Sequence, residues 1–282
     1  TLKGALPAGD YTLPGDVSSQ FITGLLYALP LLPGDSTITL TGKVESRPYI
    51  DLTLSALADF GVTARWLDER RLAVPGGQHY RPCPYRVEGD YSQAAFPAVL
   101  GAVRGGVTVT GLRPDSLQGD TAILDILTRC GANFTRTGDE VRFEASPLRA
   151  AAIDLAACPD LGPILMVLGL FCEGDTVITN AGRLRIKESD RIAAMQEELA
   201  KFGGQVLAEG ETVTVKGLGG ALCAPTRPLN SHNDHRVAMA LAIAAWAAGL
   251  PACLEDAGAV AKSWPTFFAD MAQDLGARWQ EA

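Results

Sequence analysis

The sequence predicts an α/β fold of mixed α+β type, built from four copies of one unit. Four aspartates, each followed by an apolar run with helical character, lie 74, 70 and 74 residues apart: Asp16, Asp90, Asp160 and Asp234. Each run leads into a strand pattern, and a second, amphipathic helix follows. These second helices close on glycines spaced by 70, 72 and 73 residues: Gly61, Gly131, Gly203 and Gly276.

Two short strand patterns with a polar turn follow each of the first three glycine closures. They cover residues 63–66 and 71–74, 133–135 and 140–143, and 205–207 and 212–215. The predicted unit is therefore helix, strand, helix, strand, strand. Its length exceeds the roughly 20 to 45 residues of common solenoid repeats, so an ordinary solenoid is excluded.

The bulk numbers limit the kind of partner. A chain of 282 residues can form two domains, and its formal net charge of −8 disfavours a nucleic-acid or anionic-membrane binder. An anionic small-molecule substrate must then be held by a local cluster of Arg and Lys. We place the domain boundary in the segment 87–91, which gives domains 1–87 and 88–282.

The cysteines and the apolar runs indicate a cytoplasmic protein. Six cysteines occur singly, without a C-x-x-C pair, and no signal-peptide core is present. The segment 237–254 carries no charge, but Gly249 and Pro251 interrupt it after too few turns for a membrane span. It predicts a buried helix followed by a strand, for which residues 252–254 are the candidate.

The densest charge cluster is the segment 184–191, between a strand pattern and an apolar helical pattern. We expect Lys187, Glu188 and Arg191 on the first turn of that helix. Basic side chains oppose the helix dipole there, which suits a bound anion. The alternative is a solvated helix start with salt bridges.

Four motifs together resemble the 5-enolpyruvylshikimate-3-phosphate synthase (3-phosphoshikimate 1-carboxyvinyltransferase) family. In chain order they read Val-Ser-Ser-Gln-Phe at 17–21, Arg-Ile-Lys-Glu-Ser-Asp-Arg at 185–191, Asn-Asp-His-Arg at 233–236 and Ala-Lys-Ser-Trp-Pro at 261–265. The resemblance implies two lobes, each of three repeats around a pseudo-threefold axis, with the active site between them. Residues 88–282 would be one nearly complete lobe, and residues 1–87 the last repeat of an incomplete one.

The resemblance also implies the reaction. The 5-hydroxyl of shikimate 3-phosphate adds to C2 of phosphoenolpyruvate, and phosphate is then eliminated, without cofactor or metal. The partners are these two anions, and the expected state is a monomer. Because the family's N-terminal part is expected to be missing, we expect this stretch alone to bind shikimate 3-phosphate weakly, without turnover.

The shikimate 3-phosphate residues are carried over from the resemblance: Ser18, Ser19, Gln20, Ser46, Tyr49, Asp160 and Lys187. Asp160 is also the candidate base. Helix capping is the alternative for the serines and for Asp160, and an ordinary half-buried aromatic is the alternative for Tyr49. Arg183 stands where the family commonly has Asn, so that contact is not carried over.

The phosphoenolpyruvate residues implied by the resemblance are Gln20, Arg191, Arg236 and Lys262. Glu188 is the candidate for proton transfer at the vinyl carbon, with Lys262 as its partner. Which of the two donates and which removes the proton stays open.

The pair His232 and His235 has a spacing compatible with a metal. Only His79 is another histidine and no Cys lies nearby, so zinc is disfavoured. We expect His235 to support Glu188 or Arg236 instead.

Two rival functions remain. One is the related enolpyruvyl transferase acting on a UDP-sugar, which the motifs at 187–191 and 261–265 disfavour. The other is a non-catalytic, anion-binding repeat protein, which has no need to place five charged residues at helix ends.

Overall fold

A computed structural model describes residues 4–45 and 47–280. The chain divides into two compact units. The first unit comprises Thr1–Val87 with Leu117–Gly119, and the second comprises Glu88–Ser116 with Asp120–Ala282. Each unit has its own cluster of buried apolar side chains.

The first unit is one sheet covered by two helices. Its elements are β1 (Asp10–Pro14), α1 (Ser19–Ala28), β2 (Ser36–Thr41), α2 (Arg47–Asp59), β3 (Arg65–Trp66) and β4 (Arg71–Val74). The strand order is β1-β2-β4-β3, with β1 parallel to β2 and the other pairs antiparallel. Buried residues alternate along β2, so one sheet face packs against the helices.

The second unit begins with a repeat that has a three-stranded sheet. Its elements are α3 (Tyr91–Arg104), β5 (Val107–Val109), α4 (Ala122–Arg129), β6 (Asn133–Thr137) and β7 (Glu140–Glu144). The sheet order is β5-β7-β6, and both pairs are antiparallel.

The next repeat has the same four-stranded topology as the first unit. Its elements are β8 (Ala152–Asp154), α5 (Gly162–Phe171), β9 (Asp175–Thr179), α6 (Arg191–Ala200), β10 (Gln205–Glu209) and β11 (Thr212–Lys216). The order is β8-β9-β11-β10, with β8 parallel to β9. The remaining elements are β12 (Leu229–Asn230), α7 (His235–Ala248), β13 (Leu254–Glu255) and α8 (Phe267–Leu275), and β12 pairs with β13 in parallel.

Three helices, α3, α5 and α7, contact one another in the core of the second unit. All ten residues of α5 are buried, and nearly all of α7 is buried as well. Helices that are apolar all round are stable only when other elements surround them. The buried helices therefore hold the charged residues that precede them in fixed positions.

The predicted repeat is confirmed in its order and differs at its start. The second helices close on glycines with positive φ, from 66° to 84°: Gly61, Gly131, Gly203 and Gly276. A parallel strand precedes the first helix in two of the repeats, and the sequence pattern does not predict it. Strand β1 is at a sheet edge and has no fully buried position, so it lacks the apolar alternation that marks a strand.

The uncharged segment 237–254 forms a buried helix followed by a strand, as predicted, but the strand begins only at Leu254. Gly249, with φ 69°, ends α7 in the left-handed region. Within residues 4–45 and 47–280, no helix combines the length and apolar character needed to cross a bilayer.

Candidate functional site

Aspartates precede several helices of the second unit, and they serve two different purposes. Asp90, Asp190 and Asp234 each accept a hydrogen bond from a backbone N–H in the first turn of α3, α6 or α7. Asp160 lies in the turn Pro159–Leu161 before α5 and caps neither element with its side chain. The capping alternative for Asp160 is therefore wrong, and its carboxylate is available for other partners.

The Asp160 carboxylate faces three cations. Its oxygens lie 3.3 Å from Lys187 Nζ, 3.2 Å from Arg191 Nη1 and 3.1 Å from Arg236 Nη2. Burial raises the pKa of this carboxyl, but the charges of Arg236, Lys187 and Arg191 outweigh burial and hold the pKa well below its usual range. Asp160 is thus ionised across the physiological range.

Arg191 is the buried centre of the site. Its Nε donates to Asp234 Oδ2 at 2.8 Å, and its Nη2 donates to Asp234 Oδ1 at 3.2 Å. The same Nη2 donates to Glu188 Oε2 at 2.6 Å. The side chains of Arg191 and Asp234 are 1% and 0% exposed, so this fork geometry is shielded from water.

Glu188 joins the buried arginine to an exposed lysine. Its second oxygen accepts a short hydrogen bond from Lys262 Nζ. Burial raises the Glu188 pKa, but the hydrogen bond from Lys262 and the charge of Arg191 lower it to about 2. The pair therefore consists of a carboxylate and an ammonium.

Arg236 is held from one side only. Its Nη2 donates to Ser92 Oγ at 3.0 Å and to Asp160. Its Nη1 is buried and has no hydrogen-bond partner within residues 4–45 and 47–280. A buried guanidinium N–H without a partner is unfavourable, so it favours a bound anion at this position.

Asp120 is a second buried carboxyl near the cluster and was not among the residues predicted from the sequence. Its side chain is fully buried. Burial raises the pKa of Asp120 to about 7, helped by the charge of Asp160 and opposed by Arg236 and Lys187. The signal in the sequence was a Gly-Asp pair just before α4, the counterpart of the aspartates before the first helices.

Lys187 and Glu188 are not on the first turn of α6, contrary to the prediction. The helix begins at Arg191, because Asp190 caps it by accepting from the N–H groups of Ile192 and Ala193. Lys187 and Glu188 lie in the loop between Gly182–Ile186 and the helix. From this loop, Lys187 contacts the Asp160 carboxylate, and Glu188 contacts Arg191 and Lys262.

The other candidate residues belong to the first unit. Ser18 accepts from Gln20 N at 3.2 Å and caps α1, so the capping alternative for Ser18 is confirmed. Ser19 begins α1, and the side chain of Gln20 is exposed. Tyr49 is half-buried in α2. Ser46 lies outside the described residues.

The two histidines near this site contact different carboxylates. His232 Nε2 lies 3.1 Å from Glu198 Oε1, and His235 Nδ1 lies 3.8 Å from Asp234 Oδ1. Burial and the charge of Arg236 lower the His235 pKa. His235 is therefore neutral beside the arginines, and a support contact to Glu188 stays a prediction.

Comparison with known proteins links this geometry to one family. The family model described as "EPSP synthase (3-phosphoshikimate 1-carboxyvinyltransferase)" matches residues 2–271. Curated 3-phosphoshikimate 1-carboxyvinyltransferases from Clostridium botulinum (strain Alaska E43 / Type E3) and Clostridioides difficile (strain 630) are 41% and 40% identical over 99% of this chain. The chain spans 64% and 63% of the length of these relatives.

Solved structures agree. An EPSP synthase from Acinetobacter baumannii superimposes with a TM-score of 0.80 at 26% identity, over 95% of this chain and 62% of that one. The enolpyruvyl transferase NikO from Streptomyces tendae gives a TM-score of 0.72 over 97% of this chain and 65% of that one. At 20% identity, the second likeness shows the fold alone.

Proposed function

The chain belongs to the EPSP synthase family, and from this premise we propose that its second unit holds phosphoenolpyruvate and performs the proton transfers of enolpyruvyl transfer to shikimate 3-phosphate. The observation that carries the proposal is the buried Nη1 of Arg236, which has no hydrogen-bond partner among the described residues, in a cluster that also contains Lys187, Arg191 and Lys262. Four cations in one cluster suit the phosphate and carboxylate of phosphoenolpyruvate.

The order of the proton transfers follows from the charges. Glu188 is ionised in the free chain, since its pKa is lowered to about 2, and Lys262 Nζ donates a hydrogen bond to it. We assign Lys262 as the donor to C3 and Glu188 as the acceptor in the elimination. Because Glu188 and Lys262 are in direct hydrogen-bond contact, one proton transfer from Glu188 to Lys262 then restores their starting charges.

In the addition step the 5-hydroxyl oxygen bonds to C2, and its proton passes to Asp160. C3 becomes a methyl group by taking the proton of Lys262. In the elimination step the bond from C2 to the phosphate oxygen breaks, and Glu188 removes a methyl proton. The proton taken up by Asp160 leaves with the phosphate, so charges and atoms balance.

We propose that the first unit contributes residues that bind shikimate 3-phosphate. Ser18, Ser19, Gln20 and Tyr49 lie in the first turns of α1 and α2 or just before them. The hydroxyls of Thr23 and Thr53 hydrogen-bond at 2.9 Å and join these two helices. We propose that these residues, with Ser46, are the shikimate 3-phosphate residues of the first unit, and that Gln20 also contacts phosphoenolpyruvate. Asp160 and Lys187 are the proposed shikimate 3-phosphate residues of the second unit.

The proposal extends to organisation and location. Residues 1–87 would be one repeat of one lobe and residues 88–282 three repeats of another. A cytoplasmic location fits six cysteines that are all free thiols, and we propose that the protein is a monomer there. Because the relatives are longer than this chain, binding is the property to measure first.

Calorimetric titration tests the proposal. Phosphoenolpyruvate should bind the chain more tightly than inorganic phosphate or pyruvate, because each of those lacks one of its two anionic groups. Shikimate 3-phosphate should bind weakly. In any preparation that releases phosphate from the substrate pair, Glu188→Gln should lower kcat by about 10² to 10⁴ and keep substrate affinity. Equal affinity for phosphoenolpyruvate and inorganic phosphate would reject the proposed site.

A further inference from the structure

The loop from Asn230 to Asp234, between β12 and α7, has an unusual backbone. His232 and Asn233 both have φ 53°, in the left-handed region that favours glycine. Two consecutive residues of this kind persist only when the surrounding structure holds them in place. The loop ends at Asp234, which pairs with Arg191, and Arg236 follows within the first turn of the helix.

Contacts inside the loop hold only part of it. His232 N donates to Asn230 Oδ1 at 2.6 Å, and Asn233 N donates to Ser231 Oγ at 3.2 Å. The Ser231 hydroxyl donates to the carbonyl oxygen of Asp256 at 3.0 Å. The start of the loop is also held by its neighbour β13, because Asn230 pairs with Glu255 and Ser231 N donates to the carbonyl oxygen of Glu255 at 3.3 Å.

Glu198 on α6 supplies a further anchor, from an element outside the β12–β13 pair. Its side chain is fully buried. Oε2 accepts from Asn230 N at 2.8 Å, and Oε1 lies 3.1 Å from His232 Nε2. Lys201 Nζ donates to both oxygens, at 2.8 and 2.9 Å, and neutralises the carboxylate.

Helix α6 thereby holds both ends of the loop. Arg191 and Glu198 are seven residues apart, close to two helical turns, so they lie on the same helix face. Arg191 binds Asp234 at the end of the loop, and Glu198 binds Asn230 and His232 near its start. The rigid helix fixes the distance between the two anchors.

A metal site at the same place is less consistent with the contacts. Ligand atoms of Glu197, Glu198 and His232 lie within 4.8 Å of one another. The ammonium of Lys201 already occupies both oxygens of Glu198, and its positive charge would repel a cation.

We propose that Glu198 is a positioning residue for phosphoenolpyruvate binding, which it supports by fixing the loop that carries Asp234 and leads to Arg236. The proposal rests on the proposed function for the role of Arg236. Within residues 4–45 and 47–280, Glu198 bonds to Lys201, Asn230 and His232 and not to Arg236 or Asp160, so its effect passes through the loop backbone.

The test uses Glu198→Leu/Lys201→Met in the 282-residue chain. Replacing both partners of a buried ion pair by apolar residues often leaves stability unchanged, whereas replacing one leaves a buried charge. The control is Val141→Ala, a core truncation in β7 of another repeat. Amide hydrogen exchange at Asn230, His232 and Arg236 reports on the loop, and phosphoenolpyruvate titration reports on the site.

We expect the double variant to exchange these three amides at least tenfold faster and to bind phosphoenolpyruvate at least fivefold more weakly. Val141→Ala should lower Tm without either effect. The proposal is overturned if the three amides keep their exchange rates, or if Val141→Ala accelerates them equally. If the three amides exchange faster in the double variant but the wild-type chain does not bind phosphoenolpyruvate, the result supports Glu198 as an anchor of the loop and rejects the proposed function.

Discussion

Arg191 and Asp234 form a buried, two-point ion pair between the start of α6 and the start of α7, with contacts of 2.8 and 3.2 Å. Asp234 also accepts from Ser189 Oγ at 3.1 Å and from Arg236 N at 2.9 Å. One carboxylate thus orients a buried arginine and caps the helix that carries another. The pair connects two repeats at the point where the charged residues meet.

Breaking this pair should destabilise the chain strongly. Arg191→Met removes the cation that balances Asp234, Asp160 and Glu188, and an uncompensated buried charge costs about 3–5 kcal/mol. Arg142→Met is the control, because its pair with Glu144 is exposed, so its loss should change the free energy of unfolding little. Urea unfolding measures both losses. Similar small losses for the two variants would contradict the buried pair.

Acid should weaken the chain through Glu188. Its pKa is lowered to about 2 from an ordinary 4.5, so the stabilisation from its ionised form is present above pH 4.5 and is lost as the pH falls toward 2. The loss should be on the order of 1–3 kcal/mol after allowance for partial exposure.

Urea unfolding at pH 6, 4 and 3 checks this acid dependence. Glu188→Gln should flatten it, whereas Glu209→Gln, at an exposed strand position, should leave the wild-type dependence in place. If Glu188→Gln shows the full wild-type loss between pH 6 and 3, Glu188 is not the source.

A rise in pH from acidic to neutral should weaken the chain through Asp120. Its pKa is raised to about 7 from 3.8, so the stability linked to its protonated form is complete below pH 3.8 and is lost as the pH rises through 7. Asp120→Asn should remove this loss, at most on the order of 3 kcal/mol between pH 5 and 9. The carboxyl carbon shift of Asp120 should titrate near pH 7; a midpoint below pH 5 would refute the shift.

The closing glycines make a prediction about the repeat itself. Gly131 has φ 84°, which a residue with a Cβ adopts only at a penalty of about 1–2 kcal/mol. Gly131→Ala should lower the free energy of unfolding by about this amount, and Gly131→Asn by less, because Asn tolerates the left-handed region. Equal stability of the wild type and Gly131→Ala would show that the turn relaxes easily.

Much of the fold was readable from the sequence, because the signals were local. The glycine closures and the strand pairs after them repeat the same residue types at nearly constant spacing, and they formed as predicted. Strands β1, β8 and β12 were not predicted, since each is short or lies at a sheet edge. Their pairing partners are distant in sequence, which a local pattern does not contain.

The site was readable in its residue types but not in its geometry. The motifs identified Lys187, Glu188 and Arg191 as site residues. They did not show that Asp190 caps α6, so that the helix begins only after Lys187 and Glu188. Asp160 and Asp234 had equal signals before a helix, although one became a hub for cations and the other a cap and partner of Arg191. Ser92 and Asp120 belong to the charged cluster only because folding buries them near Arg236. The sequence pattern does not specify that burial.

We propose above that Arg236 binds one of the two anionic groups of phosphoenolpyruvate. Titration of the wild type, Arg236→Met and Arg104→Met with phosphoenolpyruvate tests this role most directly. Arg104, at the last turn of α3, contacts the carbonyl oxygen of Trp246 and serves as the matched control. A charge-assisted contact contributes about 1.5–3 kcal/mol, so Arg236→Met should weaken binding roughly 10- to 150-fold, with Arg104→Met unchanged. Equal affinities for all three proteins would contradict the account.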